Sequence, residues 1–176
     1  MTKLYVSLMM TLDGYFEGPE HELDWHLGGP AFDDYCDELL DGTDLLVMGR
    51  RSYDGMIAYW PQLGTPFAAK MNRVEKLVLT SSSAPLTWNA RPGGIDEVRA
   101  VKARAQRPIA MFGGAQAMNA LRRADLIDEY RVVLTPIFLG RGRRPFEDHD
   151  VRQALRLTRA STLSSGASVL YYDVRS

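Results

Sequence analysis

The sequence predicts an α/β protein: a three-layer sandwich around a mixed, mostly parallel sheet that ends in an antiparallel C-terminal hairpin. Short, almost continuously apolar runs of strand length alternate with amphipathic segments of helix length, which is typical of βαβ units whose sheet is buried on both faces. The last third differs, because residues 154–163 and 168–174 are both strand-like and have no helix between them. A length of 176 residues is about that of one domain, so we expect a single domain over 1–176.

Composition and charge exclude several classes of protein. The chain has 21 Lys and Arg against 22 Asp and Glu, so no overall positive field would attract nucleic acid. Its single cysteine, Cys36, excludes an intramolecular disulfide and indicates a reducing compartment. The first apolar run is too short to span a bilayer, and we expect a cytoplasmic protein without membrane contact. His21, His26 and His149 lack metal-ligand spacing, so no metal is expected.

The first half of the chain combines two predicted strands with one long loop. Residues 4–10 form an unbroken apolar run and predict a buried strand. Residues 11–30 are rich in Gly, Pro and acids and predict a loop of a length that is often functional. Residues 31–40 have apolar side chains at helical spacing, and Gly42 ends this helix. A second buried strand at 44–48 leads into a short helix.

The second half continues the same alternation. A third strand is predicted at 75–80, a charged amphipathic helix at 95–106 and a fourth strand at 108–112, which is followed by another helix. A long strand is predicted at 129–139. Because Pro136 cannot donate to a ladder, an edge or a bulge is expected there.

Three of these strands end in residues that are suited to binding phosphate. Ligands of open α/β sheets bind beyond the carboxyl ends of the strands. Gly113 and Gly114 lie between a strand and a helix, where glycine lets the backbone approach a ligand and the helix presents free N–H groups. The simpler alternative is a plain tight turn.

The second strand ends in the same way, with two guanidinium groups and a hydroxyl added. The residues are Gly49, Arg50, Arg51 and Ser52. Arginine matches phosphate oxygens bidentately, and the alternative is a solvated helix start whose arginines pair with carboxylates. The third strand ends in Thr80 and Ser81, which either bind phosphate or form a polar turn before Pro85. Together the three strand ends predict one anionic ligand with several phosphates.

The N-terminal loop supplies a different kind of residue. Asp13 follows the first strand directly, and Trp25 lies further along the loop. A carboxylate and an aromatic ring near a strand end suit binding of a heterocycle or transfer of a proton. Asp13 is therefore a candidate catalytic residue, and Asp13 and Trp25 are candidates for substrate binding. The alternatives are a turn at Asp13–Gly14 and packing of Trp25 beneath the loop.

Four motifs together resemble one superfamily. They are V-S-L-x-x-T-L-D-G-Y at 6–15, D-x-x-V-M-G-R-R-S-Y at 44–53, F-G-G-A at 112–115, and L-I-D-E-Y-R-V-V-L-T-P-I-F-L-G-x-G at 126–142. In this order, over nearly the whole chain, they resemble the dihydrofolate reductase-like superfamily. The nearest branch is the C-terminal reductase domain of the bifunctional riboflavin-biosynthesis deaminase-reductase, of which this chain resembles a standalone member.

The resemblance implies a homodimeric, NADPH-dependent reductase that transfers hydride to a small pteridine- or pyrimidine-like heterocycle, as 5-amino-6-(5-phosphoribosylamino)uracil reductase does. The alternative is a non-catalytic nucleotide-binding protein of the same fold. By this resemblance, Gly49–Ser52 would contact the cofactor phosphates, and Thr80 and Ser81 would lie near the adenosine 2′-phosphate. The pyrophosphate would be held by Gly113, Gly114, Ala115 and Gln116. The nicotinamide would lie near the first strand and Asp13.

The sequence also departs from these families. Dihydrofolate reductases place one acid on the helix after the long loop, and here four acids compete for that role: Asp24, Asp33, Asp34 and Asp37. The chain lacks H-x-E with C-x-x-C, so it cannot deaminate by the zinc route. Three arginines could hold a substrate phosphate or form a solvated basic turn: Arg141, Arg143 and Arg144. Nucleic-acid binding through this turn is disfavoured by the neutral charge and the lack of interleaved aromatic residues.

Overall fold

The chain forms one eight-stranded sheet with helices on both faces. The computed structural model describes residues 2–148 and 152–175. In chain order the elements are β1 (Leu4–Thr11), α1 (Pro30–Asp41), β2 (Leu45–Gly49), α2 (Arg50–Tyr59), α3 (Pro66–Arg73), β3 (Glu75–Leu79), β4 (Ala90–Gly93), α4 (Ile95–Arg104), β5 (Ile109–Phe112), α5 (Ala115–Arg123), β6 (Glu129–Thr135), β7 (Leu155–Thr162) and β8 (Ser168–Val174). A short 3₁₀ turn, Trp60–Gln62, follows α2.

The strand order confirms the predicted mixed sheet. Neighbouring strands run β4-β3-β2-β5-β1-β6-β8-β7 across the sheet. All pairs from β4 to β6 are parallel, whereas β8 is antiparallel to both β6 and β7. The C-terminal hairpin is therefore β7–β8, as the sequence predicts, and it extends the parallel sheet at one side.

Two cores, one on each face of the sheet, make the predicted three layers. On one face, Leu4 and Val6 of β1 pack with Val98 of α4 and Leu121 of α5. On the other face, the intervening residue Tyr5 packs in a cluster with side chains of α1, α2 and α3. Successive side chains of a strand point to opposite faces, so a strand buried on both faces must be apolar throughout. This requirement explains the continuous apolar runs of β1, β2 and β5.

Two elements were not predicted. Strand β4 has the sequence A-R-P-G and occupies the outer edge of the sheet beside β3. Proline is tolerated at an edge because no neighbour needs its missing N–H, but it conceals the strand in the sequence. Helix α3 begins after Thr65, whose hydroxyl accepts a hydrogen bond from the N–H of Ala68 at 3.2 Å, and has Pro66 in its first turn.

The predicted strand 129–139 is wrong beyond Thr135. Strand β6 ends there because Pro136 has no N–H to donate. The chain then turns, and the N–H of Ile137 donates to the carbonyl of Thr135 at 2.8 Å. Ile137 in turn accepts a hydrogen bond from the N–H of Leu12 at 3.0 Å. This turn joins the segment after β6 to the start of the long loop after β1.

The predicted long loop has no helix or strand between β1 and α1, apart from one isolated bridge. That bridge pairs Glu17 with Arg143. The N–H of Arg143 donates to the carbonyl of Glu17 at 2.9 Å, and the N–H of Phe16 donates to the carbonyl of Arg143 at 3.0 Å. Glycine is required at position 142 because a Cβ there would clash with the carbonyl of Glu17. The loop after β1 and the loop after β6 are thus held together at the side of the sheet where the parallel strands have their carboxyl ends, which is called the carboxyl edge.

Candidate functional site

The carboxyl ends of five parallel strands lie side by side at the carboxyl edge of the sheet. Their order is β3, β2, β5, β1 and β6, so the residues that follow each strand are neighbours in space along the edge. Thr80 follows β3, Gly49 ends β2, Gly113 follows β5 and Asp13 lies two residues after β1. The three strand ends predicted to bind phosphate are therefore consecutive, and Asp13 lies next to them on the far side of β5.

Close packing joins the two glycine-containing strand ends. Gly113 and Gly114 both have left-handed backbones, with φ of 59° and 75°. A Cβ on Gly114 would lie 2.8 Å from Ser52 Oγ and 3.7 Å from the backbone nitrogen of Gly49. A Cβ on Gly49 would lie 3.1 Å from that of Ala117. The beginnings of α2 and α5 can approach this closely only because side chains are missing at these positions.

The two helix N-termini at this point are uncapped. The residues preceding α2 and α5 are Gly49 and Gly114, which have no side chain to accept from the first-turn N–H groups. Neither helix has an acid in its first turn. Free N–H groups and the helix dipole make such a terminus attractive to anions. Here two such termini begin close together, since a Cβ on Gly114 would lie 3.7 Å from the nitrogen of Gly49.

The arginines that begin α2 differ in their surroundings. Arg50 Nε donates to both carboxylate oxygens of Asp54, at 2.9 and 3.1 Å, as the alternative of a paired arginine predicts. Its Nη1, however, is buried and has no partner among the described residues. Arg51 is exposed, and Ser52 lies against the Gly113–Gly114 turn. Ala115 and Gln116 form the first turn of α5, and Gln116 is exposed.

The segment after β3 is a polar turn. Thr80 Oγ1 accepts a hydrogen bond from the N–H of Ser82 at 3.0 Å, and Ser82 Oγ accepts one from the N–H of Ala84 at 3.2 Å. Ser81 is exposed. The turn thus uses its hydroxyls locally, as the simpler interpretation predicts, while it places them next to the N-terminus of α2.

Asp13 anchors the loop that follows β6. Its Oδ1 accepts hydrogen bonds from Thr11 Oγ1 at 2.6 Å and from the N–H of Leu139 at 3.2 Å, and its Oδ2 accepts one from the N–H of Gly140 at 2.8 Å. The hydrogen bond from Thr11, supported by those from Gly140 and Leu139, lowers the pKa of Asp13. Asp13 and Gly14 also form a tight turn, in which the N–H of Gly14 donates to the carbonyl of Thr11 at 3.0 Å.

Trp25 packs inside the long loop. Its side chain is buried, and its ring meets that of His26 edge-on with 4.4 Å between centroids. Burial lowers the pKa of His26 to about 4, so this imidazole is neutral at physiological pH. The indole Nε1 of Trp25 is buried and has no partner among the described residues. Packing beneath the loop, one of the two interpretations of Trp25, therefore describes its position.

The structure shows the surroundings of the four competing acids and of the arginines in the basic turn. Asp37 contacts Lys70 Nζ at 3.1 Å, whereas the other three competing acids are exposed: Asp24, Asp33 and Asp34. In the basic turn, Arg143 Nε lies 3.3 Å from Glu17 Oε1. The guanidinium of Arg144 lies 5.2 Å from the ring centroid of Tyr15. Both arginines thus help to hold the long loop in place, which favours a structural role for this turn.

Two threonines at the site were not predicted. Thr11 and Thr135 are the last residues of β1 and β6 and lie side by side in the register of the two strands. Both are buried, and Thr135 Oγ1 has no hydrogen-bond partner among the described residues. A buried polar group without a partner is unusual in a folded protein. The sequence signal was a hydroxyl at the last position before a turn.

The opposite edge of the sheet offers no comparable site. A cavity of about 380 Å³ lies there, but two of the three cations that line it, Lys70 and Arg107, are already paired with acids. Lys70 Nζ is 2.6 Å from Asp41, and Arg107 Nη1 is 2.8 Å from Asp44. Within residues 2–148 and 152–175, no group of three or more His, Cys, Asp and Glu side chains is placed to hold a metal ion, and His149 lies outside these residues. No helix in the described part of the chain is long and apolar enough to cross a membrane.

Sequence comparison identifies the family. The sequence matches the RibD C-terminal domain family over residues 2–171. The chain belongs to this family. It is similar to the protein YyaP of Bacillus subtilis (strain 168), with 27% identity over 97% of this chain and 94% of that protein. The resemblance inferred from the four motifs is thereby confirmed.

Solved structures confirm the dihydrofolate reductase-like fold. A protein of Shewanella sp. PV-4, provisionally assigned to riboflavin biosynthesis, superimposes with a TM-score of 0.82 at 21% identity, over 99% of each chain. Dihydrofolate reductase of Enterococcus faecalis, complexed with NADP(H), gives a TM-score of 0.69 at 18% identity, over 99% of this chain and 97% of that one. The deaminase-reductase of Thermotoga maritima gives 0.71 at 13% identity, and this RibD-family chain covers 57% of it.

Proposed function

We propose that this chain is an NADPH-dependent reductase that transfers hydride to a small heterocycle. We further propose that the substrate is pteridine- or pyrimidine-like and resembles that of 5-amino-6-(5-phosphoribosylamino)uracil reductase. Membership of the RibD C-terminal domain family supports reductase activity, and a relative in fold is complexed with NADP(H). The observation that carries the proposal is the convergence of two uncapped helix N-termini, at Gly49 and Gly114, on neighbouring strand ends.

The residues at this edge fit the phosphates of a dinucleotide. The first turns of α2 and α5 lie close together, which is possible because position 114 has no Cβ. Two helix dipoles place partial positive charge there, and the free Nη1 of Arg50 adds a donor beside it. Under this proposal the pyrophosphate is held by Gly113, Gly114, Ala115 and Gln116, and the other phosphate contacts come from Gly49, Arg50, Arg51 and Ser52. Thr80 and Ser81 lie near the 2′-phosphate.

Bound NADPH supplies the hydride, and the residues of the chain bind, orient and enclose the reactants. On the substrate side, Asp13 fixes the loop after β6 through Leu139 and Gly140. Because its pKa is lowered, Asp13 is ionised at neutral pH and does not hold a proton to donate. Its proposed part in the reaction is to keep the end of β1 and the loop after β6 in fixed positions, with Trp25 packed in the adjoining loop.

A non-catalytic nucleotide-binding protein is the second candidate. The observation in its favour is that the carboxylate of Asp13 already accepts three hydrogen bonds from the chain itself. Such a protein would bind NADPH through the same strand ends without reducing a substrate. Oxidation of NADPH in the presence of pteridine and pyrimidine substrates, followed by absorbance, separates the two candidates.

The first test is titration of the purified protein with NADPH and, separately, with NADH, followed by fluorescence and by thermal shift. Tight binding with a preference for NADPH is the expected result. Binding of neither nucleotide would overturn the proposed function and leave only the likeness of fold.

We also propose that the protein is a homodimer that pairs through the outer end of its sheet. Strand β7 is exposed over nearly its whole length, including Leu155 and Leu157, which are 41% and 51% exposed. An edge strand with exposed apolar side chains tends to pair with another chain. Light scattering should give twice the mass of one chain, and Leu157→Glu should give a monomer. A monomeric wild-type protein would contradict the proposal.

A further inference from the structure

The connection between β3 and β4 carries the polar turn of Thr80–Ser83 but has few contacts of its own there. Its serines are exposed, and their hydrogen bonds are local, from Ser82 to Thr80 and from Ala84 to Ser82. Local turns set the shape of a segment and leave its position relative to the rest of the protein undetermined. Thr80 itself is held at the end of β3, since its N–H donates to the carbonyl of Gly93 at 3.3 Å. The position of the exposed residues Ser81–Ser83 therefore depends on contacts elsewhere in the connection.

Tyr53 supplies one such contact from α2. Its side chain is buried, with 3% exposure, and its hydroxyl donates to the carbonyl of Thr87 at 3.1 Å. The same hydroxyl accepts a hydrogen bond from the N–H of Thr87 at 2.8 Å. Tyr53 thus satisfies both backbone groups of one residue in the connection. It lies in the same helical turn as Arg50, and the Arg50 guanidinium is 5.8 Å from its ring centroid.

A second group of contacts fixes the end of the connection next to β4. Trp88 and Asn89 both have left-handed backbones, with φ of 58° and 52°, which is strained for residues other than glycine. The indole N–H of Trp88 donates to Asn72 Oδ1 at 2.6 Å, and the Asn89 amide donates to the carbonyl of Arg73 at 2.9 Å. Strain of this kind persists only where surrounding contacts impose it.

Lys76 of β3 also contacts Trp88 and belongs to this second group of contacts. It is fully buried in β3, and its ammonium lies 4.1 Å from the Trp88 ring centroid. The ammonium also donates to the carbonyl of Val74 at 2.7 Å, at the C-terminus of α3. A buried ammonium is attracted both by the face of an aromatic ring and by the partial negative charge of a helix C-terminus. The Trp88 end of the connection is therefore rigidly attached to the sheet.

We propose that Tyr53 is a positioning residue for the 2′-phosphate of the cofactor, because it sets the distance between the Thr80–Ser83 turn and the first turn of α2. The proposal rests on the proposed function. Trp88 and Lys76 fix one end of the connection to the sheet, and the bond between Tyr53 and Thr87 draws the remainder towards α2. Without that bond, the turn and the Arg50–Ser52 segment would no longer hold one phosphate-bearing ligand together. The effect concerns NADPH and not NADH, since only NADPH has the 2′-phosphate.

Tyr53→Phe tests this directly, with Tyr59→Phe as the matched control. Tyr59 lies on the same helix, but its side chain is exposed. Loss of the two hydrogen bonds should weaken NADPH binding roughly three- to tenfold and change NADH binding less than about twofold. Tyr59→Phe should change neither. Hydrogen exchange of the amides of residues 81–87, measured without nucleotide, should be faster in Tyr53→Phe than in the control.

The outcomes separate this inference from the function on which it rests. If the wild-type protein binds neither nucleotide, both are overturned. If the wild-type protein prefers NADPH and Tyr53→Phe keeps the same ratio of affinities, only the positioning role is overturned. If Tyr53→Phe does not fold, Trp88→Phe serves instead, since it removes the indole N–H and keeps a ring over Lys76. It should lower the NADPH preference as well, and an unchanged preference would overturn the inference.

Discussion

Replacing Gly114 with alanine is the sharpest test of the phosphate site. Gly114 has a φ of 75°, and an added Cβ would lie 2.8 Å from Ser52 Oγ and 3.7 Å from the nitrogen of Gly49. The new methyl group therefore enters the narrow space between the first turns of α2 and α5, which is called the cleft below. Alanine is preferred to valine, because a β-branched residue at this φ is a conformational outlier that endangers folding.

The expected loss of stability follows from two terms. The left-handed backbone costs alanine about 1–2 kcal/mol, and rotation of the Ser52 side chain away from the methyl group costs up to about 1 kcal/mol. For a chain of this size, each kcal/mol lowers Tm by roughly 2–4 °C, so the variant should melt about 2–12 °C below the wild type. Thermal denaturation should still be cooperative, since the change lies at the protein surface between two helix ends.

Gly114→Ala should also weaken the binding of NADPH, separately from its effect on stability. A hydrogen bond from a backbone N–H to a charged phosphate contributes about 1.5–3 kcal/mol, so exclusion of one phosphate oxygen should raise the Kd for NADPH by about tenfold or more. Fluorescence titration of the folded variant measures this change. Because both nucleotides have the pyrophosphate, NADH should lose affinity to a similar extent.

Gly166→Ala is the matched control. Gly166 has a φ of 87° in the β7–β8 turn, and its added Cβ would make an ordinary 3.7 Å contact with Pro136 Cγ. It therefore imposes the same backbone cost away from the cleft, and should lower Tm without changing the Kd for NADPH. A folded Gly114→Ala protein with wild-type affinity would refute the assignment of the pyrophosphate, as would equal losses of affinity in both variants.

Three further predictions concern single residues. Arg50→Ala should weaken the binding of NADPH more than that of NADH in paired titrations. It should change the free energy of unfolding by less than about 1 kcal/mol, because the ion pair of Arg50 with Asp54 is partly exposed. Equal losses of affinity for both nucleotides would show that Arg50 does not contact the 2′-phosphate. Thr135→Val should leave the free energy of unfolding in urea unchanged or raise it by up to about 1–2 kcal/mol, because it removes an unpartnered buried hydroxyl; a clear decrease would mean that the hydroxyl is hydrogen-bonded in solution. The pKa of Asp13 is lowered in the folded state, so its ionised carboxylate stabilises the fold above the ordinary pKa, and this contribution is lost as the pH falls through the lowered pKa. Between about pH 5 and pH 2 the wild type should therefore lose more stability than Asp13→Asn. Parallel curves of unfolding free energy against pH for the two proteins would contradict this.

The sequence predicted the strands that are buried on both faces and missed β4, one of the two edge strands. β1, β2 and β5 are almost entirely apolar, with Ser7 and the terminal Thr11 of β1 as exceptions, and this pattern is visible as a nearly continuous run. β4 pairs with a single neighbour, β3, and can contain Pro92 and Gly93, which are signals for a turn. The end of β6 was misplaced for a related reason, because the apolar pattern continues beyond Pro136 into a turn that contacts the loop after β1.

The candidate site was predictable in part because its chemistry lies at the ends of those visible strands. Gly49, Thr80 and Gly113 could each be found from the strand that precedes it. Their order along the edge depends on the strand order β3-β2-β5, which follows from pairing between segments far apart in the chain. Contacts such as those of Tyr53 with Thr87 leave no local pattern, since each partner satisfies a group 34 residues away. Sequence patterns therefore locate the backbone parts of this site better than the side chains that position them.

Asp13 illustrates how one pattern can have two correct interpretations with different consequences. An Asp-Gly pair directly after a buried strand indicates both a turn and an acid at the edge where ligands bind. In the structure the two are linked, because the turn aims the carboxylate at the N–H groups of Leu139 and Gly140. A carboxylate that accepts three hydrogen bonds is stabilised in its ionised form, whereas a general acid needs a pKa raised towards neutrality. Under the proposed function, the proton that accompanies hydride transfer would therefore have to reach the substrate from water or from a group other than Asp13. Under the proposed function, the hydrogen bonds of Asp13 would fix the loop after β6 relative to β1 and so help to hold the substrate and the nicotinamide at a fixed separation.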